Sequence, residues 1–228
     1  MKTIHLIFIV LIIFTINSCT SPNKSPSEGV NYPFSNINCY LRYLEENREL
    51  QAEMTFRTDS NIAIEGNVFL NDEIMHYKNL PSVGMQYRLI KNAVFFDSSY
   101  TFSYIERHGE IVRYNIGLNK FENLRIVSDG LSKKKGGLLI WDGEALDTED
   151  GLVFILTDSR GNSFSINHSG ISKGNKFEII ASHVNNLATG PATLLTTRKK
   201  TVSYNNEKVR KLLRVEYYLK AIKFEVKE

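Results

Sequence analysis

The chain has 228 residues, enough for one or two domains with real cores. Its composition, 42% hydrophobic and 23% charged with a mean hydropathy of −0.23, excludes a multi-span membrane protein and a chain that is disordered throughout. A formal charge of +3, from 28 Lys and Arg against 25 Asp and Glu spread evenly along the chain, gives no basis for nucleic acid as a partner. Eleven Tyr and 13 Phe beside a single Trp suit a β-rich chain.

Lys2 precedes an uninterrupted apolar run from Leu6 to Phe14. The run is too short to span a bilayer as a mature helix, which needs about 20 residues, and has the layout of an export signal. Ile16-Asn17-Ser18-Cys19 then places a branched apolar residue at −3 and a small one at −1 from a cysteine. This resembles the lipobox of bacterial lipoproteins. The resemblance implies removal of residues 1–18 as signal peptide, lipidation of Cys19, a membrane anchor and a place in the cell envelope. Thr20 lacks the aspartate associated with inner-membrane retention, which points to the outer membrane. Cys39 is then the only free thiol, and its place between polar neighbours on a strand-like segment reads as a small core hydrophobe.

Residues 19–36 hold Pro22, Pro26 and Pro33 among polar residues and bury too little apolar surface to offset ordering, so they read as a disordered tether. From there the period becomes two. Leu50, Ala52, Met54 and Phe56 alternate with Glu49, Gln51, Glu53, Thr55 and Arg57, as on a strand with one face in a core. Strands follow at Asn61–Leu70, Ile74–Tyr77, Met85–Ile90, Tyr100–Ile105 and Ile111–Gly117, separated by polar turns. The polar, glycine-punctuated run Ser128–Gly137, with Lys133, Lys134 and Lys135 at its centre, reads as a domain boundary, giving sandwiches over 37–128 and 129–228.

The second half repeats the pattern at Leu138–Trp141, Gly151–Thr157, Phe164–Ile166, Phe177–Ala181 and Ala192–Thr197, with a helical turn expected over Ser182–Leu187. Leu213, Val215, Tyr217 and Leu219 sit at odd positions and Ile222, Phe224 and Val226 at even ones. That slip predicts a bulge or bend near Lys220-Ala221 where the strand passes to another part of the fold. The order of strands and the Leu187-Ala188-Thr189-Gly190 corner resemble an Ig-like domain of bacterial surface proteins over about 129–228. The fold expected is all-β, two antiparallel Ig-like β-sandwich domains after signal peptide and tether.

Catalytic signatures are sparse. His76, His108, His168 and His183 have no metal-face spacing, and no HExxH, CxxC or phosphate-loop motif occurs. The densest acidic stretch, Asp142, Glu144, Asp147, Glu149 and Asp150, offers hard oxygen ligands for which calcium is the candidate cation, though without EF-hand order. The expected protein is therefore a non-enzymatic, membrane-anchored envelope lipoprotein that binds or scaffolds another envelope protein. A surface glycan-binding module using Trp141, Tyr100 and Tyr104 as a platform is the alternative, and an envelope hydrolase the third reading.

Overall fold

The structure is a computed structural model and describes residues 34–57, 66–80, 84–106, 109–128, 130–205 and 209–228. The expected signal peptide, Cys19 and the tether as far as Pro33 lie outside the described residues. Residues 34–36 are folded. Phe34 is buried against Phe56 and Tyr104, and Ser35 N–H donates to the Arg57 carbonyl.

The described chain is strand and turn, with one short 3-10 turn at Ala181–His183. In order, the first strands are β1 (Asn36–Leu44), β2 (Glu49–Arg57), β3 (Val68–Leu70), β4 (Glu73–Ile74), β5 (His76–Leu80), β6 (Gly84–Lys91), β7 (Ser99–Ile105), β8 (Ile111–Gly117) and β9 (Glu122–Ile126). Then come β10 (Leu131–Ser132), β11 (Gly137–Asp142), β12 (Asp150–Asp158), β13 (Ser163–Ser169), β14 (Lys176–Ile179), β15 (Gly190–Asn205), β16 (Arg210–Tyr218) and β17 (Ile222–Lys227). Alternation in sequence becomes alternation in burial. Ile37, Cys39, Leu41 and Tyr43 of β1 and Leu50, Ala52, Met54 and Phe56 of β2 are buried, while the residues between them are not.

A large sheet runs β5-β6-β2-β1-β16-β15-β17-β10, and β12 joins the other edge of β15 with β13 beyond it. Two smaller sheets, β4-β3-β7-β8 and β14-β11-β9, cover it. All pairings are antiparallel except β1 with β16 and β10 with β17. Two hydrophobic cores result, so the expectation of an all-β chain built of two β-sandwiches holds.

The cores do not divide the chain at 128. Leu118 belongs to the first core and Phe121 to the second, so the chain crosses at residues 119–120. Val209, Leu213, Val215 and Tyr217 then return from the C-terminal part to fill the first core, and β16 lies parallel to β1 from Asn36↔Arg210 to Leu44↔Tyr218. The described residues accordingly form one compact unit. The stretch read as a linker is built into the second sandwich. Ser132 exchanges backbone hydrogen bonds with Gly136, and Lys133 N–H donates to the Lys227 carbonyl. Gly136 has φ +71°, and a Cβ there would stand 1.8 Å from the Ile179 carbonyl oxygen. Glycine marks a close backbone approach here, whereas composition alone suggested flexibility.

The parity slip at 220–221 is where β16 ends and β17 begins. Both pair with β15, β16 along Thr197–Asn205 and β17 along Gly190–Leu194, so the bend carries the chain from the first sandwich to the second. Leu219 N–H bonds the Thr196 carbonyl at 2.9 Å and its side chain packs against both cores.

A fragment of residues 37–128 therefore lacks the strand that completes its core, and its circular dichroism should show no cooperative melt. In the full chain, Leu213→Ala removes a fully buried side chain and should cost about 2–5 kcal/mol. Denaturant unfolding followed by circular dichroism measures it.

Candidate functional site

A groove of about 400 Å³ is lined by residues of both sandwiches, among them Asn115–Asn119 from the first and the 144–150 segment from the second. A shallower hollow of about 660 Å³ shares Ser98, Asn119 and Glu144 with it and is lined further by Phe95, Phe96 and Lys120. Phe95 is 82% exposed, with the Arg48 guanidinium 4.1 Å from its ring centre.

At the floor lies a buried ion pair. Arg198 of β15 donates from Nη2 to Asp150 Oδ2 at 2.5 Å, with both side chains almost fully buried. Its guanidinium also lies 4.8 Å from the Phe121 ring, which stacks on Trp141 at 4.5 Å. Arg198 points inward because β15 alternates, with Leu194, Thr196 and Arg198 all buried on one side. A buried arginine is tolerable only if paired and stacked, and the acidic residue, the aromatic face and the Ala145 carbonyl at 3.4 Å supply this.

Two residues further on, Lys200 reaches Asp147 at 2.7 Å and Glu149 at 3.4 Å. The loop itself is well braced. Asp147 Oδ1 accepts from the Glu149 and Asp150 backbone N–H groups, Leu146 N–H donates to Ser172 Oγ, and Trp141 Nε1 donates to the Glu144 carbonyl. The hydrogen bond from Lys200 is the largest lowering influence on the Asp147 pKa, which lies below the ordinary aspartate value.

The five carboxylates proposed for calcium are thus distributed. Asp142 is bonded by Asn123 at 2.8 Å and faces Arg125 at 3.5 Å, and its pKa is lowered first by that Asn123 bond. Glu144 accepts from Asn119, Asp147 and Glu149 share Lys200, and Asp150 holds Arg198. Among the described residues no three metal-ligating side chains converge. A cation at Asp147 and Glu149 would have to displace Lys200.

The aromatic platform is not formed. Trp141, Tyr100 and Tyr104 are each 2–3% exposed and lie in two different cores. Cys39 is buried in the first core, where burial pushes its thiol pKa far up and leaves it unreactive. Lys133 pairs with Glu228 at 3.6 Å. Sequence reading missed Arg198, Lys200 and Phe121, although Arg198, on the same parity as Leu194 and Thr196 of an alternating strand, was the available sign of a buried charge.

No protein-family model and no curated protein matches the sequence. Among solved structures, the chain is similar to a tetra-tandem repeat in the extending region of a large adhesion protein, at 12% identity and a TM-score of 0.30. That overlap covers 83% of this chain and 49% of the other, so the chain spans about half the length of that structure. It is also similar to DIP-gamma IG1+IG2, at 9% identity and a TM-score of 0.25, covering 82% of this chain and 96% of the other.

Removing one partner of the ion pair leaves a buried charge, so Asp150→Ala should destabilise by about 3–5 kcal/mol, whereas Asp150→Leu with Arg198→Met should recover most of that loss in denaturant titrations. A pH effect resides elsewhere, at Asp158 in the β12–β13 turn. The Ala188 backbone N–H, the Asn162 side-chain amide and the Asn162 and Arg160 backbone N–H groups hold its pKa at about 2. A carboxylate depressed on folding stabilises above its unfolded pKa of about 3.9 and loses that contribution as pH falls from about 4 to 2. Asp158→Asn should flatten this part of the acid-stability curve, as read by melting temperature against pH.

Proposed function

We propose that the chain is a non-catalytic, lipid-anchored envelope protein that binds or scaffolds another envelope protein through the surface of its paired sandwiches. The observation that carries the non-catalytic part is the use made of the acidic loop. Its carboxylates hold Arg198, Lys200, Asn119, Asn123 and Arg125, so the densest acidic stretch of the chain is taken up in structural contacts at and beside the junction between sandwiches. A general acid or base needs a pKa shifted towards neutrality, and Asp142, Asp147 and Asp158 are shifted away from it. The anchor is supported by Ile16-Asn17-Ser18-Cys19 behind the apolar run, and Thr20 supports the outer membrane. Calcium at the loop would compete with Lys200, so it would add only a small rise in melting temperature, reversed by EDTA.

Metabolic labelling with a fatty-acid probe tests the anchor. The wild-type chain should carry label and sediment with membranes, and Cys19→Ala should lose both; label retained on the variant would refute lipidation at Cys19. Turnover of a glycoside, ester or peptide substrate that Glu144→Gln abolishes would instead make the groove an active site.

A further inference from the structure

The large sheet has two different outer faces. Over the first sandwich it is charged, with Arg42 bonded to Gln51, Glu53 paired with Arg88, and Tyr40 bonded to Glu216. Over the second, the outward side chains form three cross-strand rows, Asn167–Val153–Thr197, Ser165–Ile155–Leu195 and Ser163–Thr157–Thr193. None of these nine residues is charged, while Lys199 of β15 and Lys223 and Glu225 of β17 border them on the same face; Ser163, Ser165, Asn167, Ile155 and Leu195 are exposed.

This face ends at β13, which pairs only with β12. Edge strands ordinarily carry charge that prevents pairing with other chains. Every other strand longer than two residues that terminates a sheet here has it: Lys78 in β5, Arg113 in β8, Glu122 and Arg125 in β9, Lys176 and Glu178 in β14. β13, Ser-Phe-Ser-Ile-Asn-His-Ser, has no Lys, Arg, Asp, Glu or Pro. Its inner side is occupied, since Ile166 is buried and Phe164 stacks on His183 at 5.3 Å.

We propose that β13 is a self-association edge, pairing antiparallel with β13 of a second copy about a two-fold axis at Ile166. The choice of a second copy rests on this edge being able to meet itself with no like charges in opposition, which none of the charged edges can do in the same way. Antiparallel pairing at that register sets Ser165 opposite Asn167 and Ser163 opposite Ser169, opposing no charges, and joins the two uncharged patches beside β13 into one. Seven residues of edge bury less than a standard interface, so the dimer is weak and concentration-dependent. The inference is independent of the lipid anchor and of the binding reading above.

Sedimentation equilibrium of the full chain in detergent should show reversible dimerisation, and hydrogen exchange should slow at 163–169 as concentration rises. Ser165→Lys with Asn167→Lys opposes like charges and should raise the dimer dissociation constant about ten-fold or more. Ser165→Lys with Asn167→Asp opposes unlike charges at the same exposed positions and should restore dimerisation, which controls for loss of folding. A chain that stays monomeric, or a dimer with unchanged exchange at 163–169 or indifferent to both pairs of substitutions, overturns the proposal.

Discussion

The fold depends on β15 belonging to both sandwiches. Its sixteen residues pair with β17 at one end and β16 at the other, along one edge, while β12 lies on the opposite edge as far as Lys200. A strand is stiff over this length because every pairing hydrogen bond fixes its neighbours in register. The two cores are therefore fixed to one another through continuous backbone, where a flexible linker would have left them to move. The same sharing obliges β16 and β17 to be one segment bent at 219–221, since both must follow the same edge of β15 in succession.

A strand that passes from one core to another must cross the interval between them, and there its inward positions meet no continuous apolar surface. Arg198 occupies that interval. Its charge is desolvated, but Asp150, Phe121 and the Ala145 carbonyl surround it, and each arrives from a different element. An apolar residue would satisfy burial equally well. The ion pair adds direction, because it draws the start of β12 and the loop before it onto β15 in one register. Lys200 extends the arrangement to Asp147 and Glu149 at the groove wall.

How much of this was legible depended on the range of the interaction. Period-two alternation is local, so β2, β6, β7, β8, β12 and the parity slip at 220–221 were visible in the sequence as written. The pairing of β1 with β16 joins Cys39 to Leu213, and nothing local distinguishes that partner from another alternating strand. Dividing the chain at 128 followed from treating neighbours in sequence as neighbours in space. Gly130 and Gly136 misled for a related reason, because a glycine required by the approach of Glu225 or Ile179 reads the same as one in a linker. The acidic loop was recognised as a polar cluster, but its meaning lay in Arg198 and Lys200, some fifty residues further on.

The shared sheet also explains why its outer faces can differ without cost to the fold. Inward positions are fixed by two cores and leave little freedom, whereas outward positions of the same strands contribute little to packing. The first sandwich uses that freedom for pairs such as Glu53 with Arg88, which keep its face hydrated and discourage docking. The second leaves Val153, Ile155 and Leu195 among serines and threonines, where docking would displace little tightly held water. Since β15 holds both faces in one rigid sheet, a contact made at the uncharged end orients the charged face and the inter-sandwich groove together. A scaffold needs this property, and it follows from the continuity of one strand.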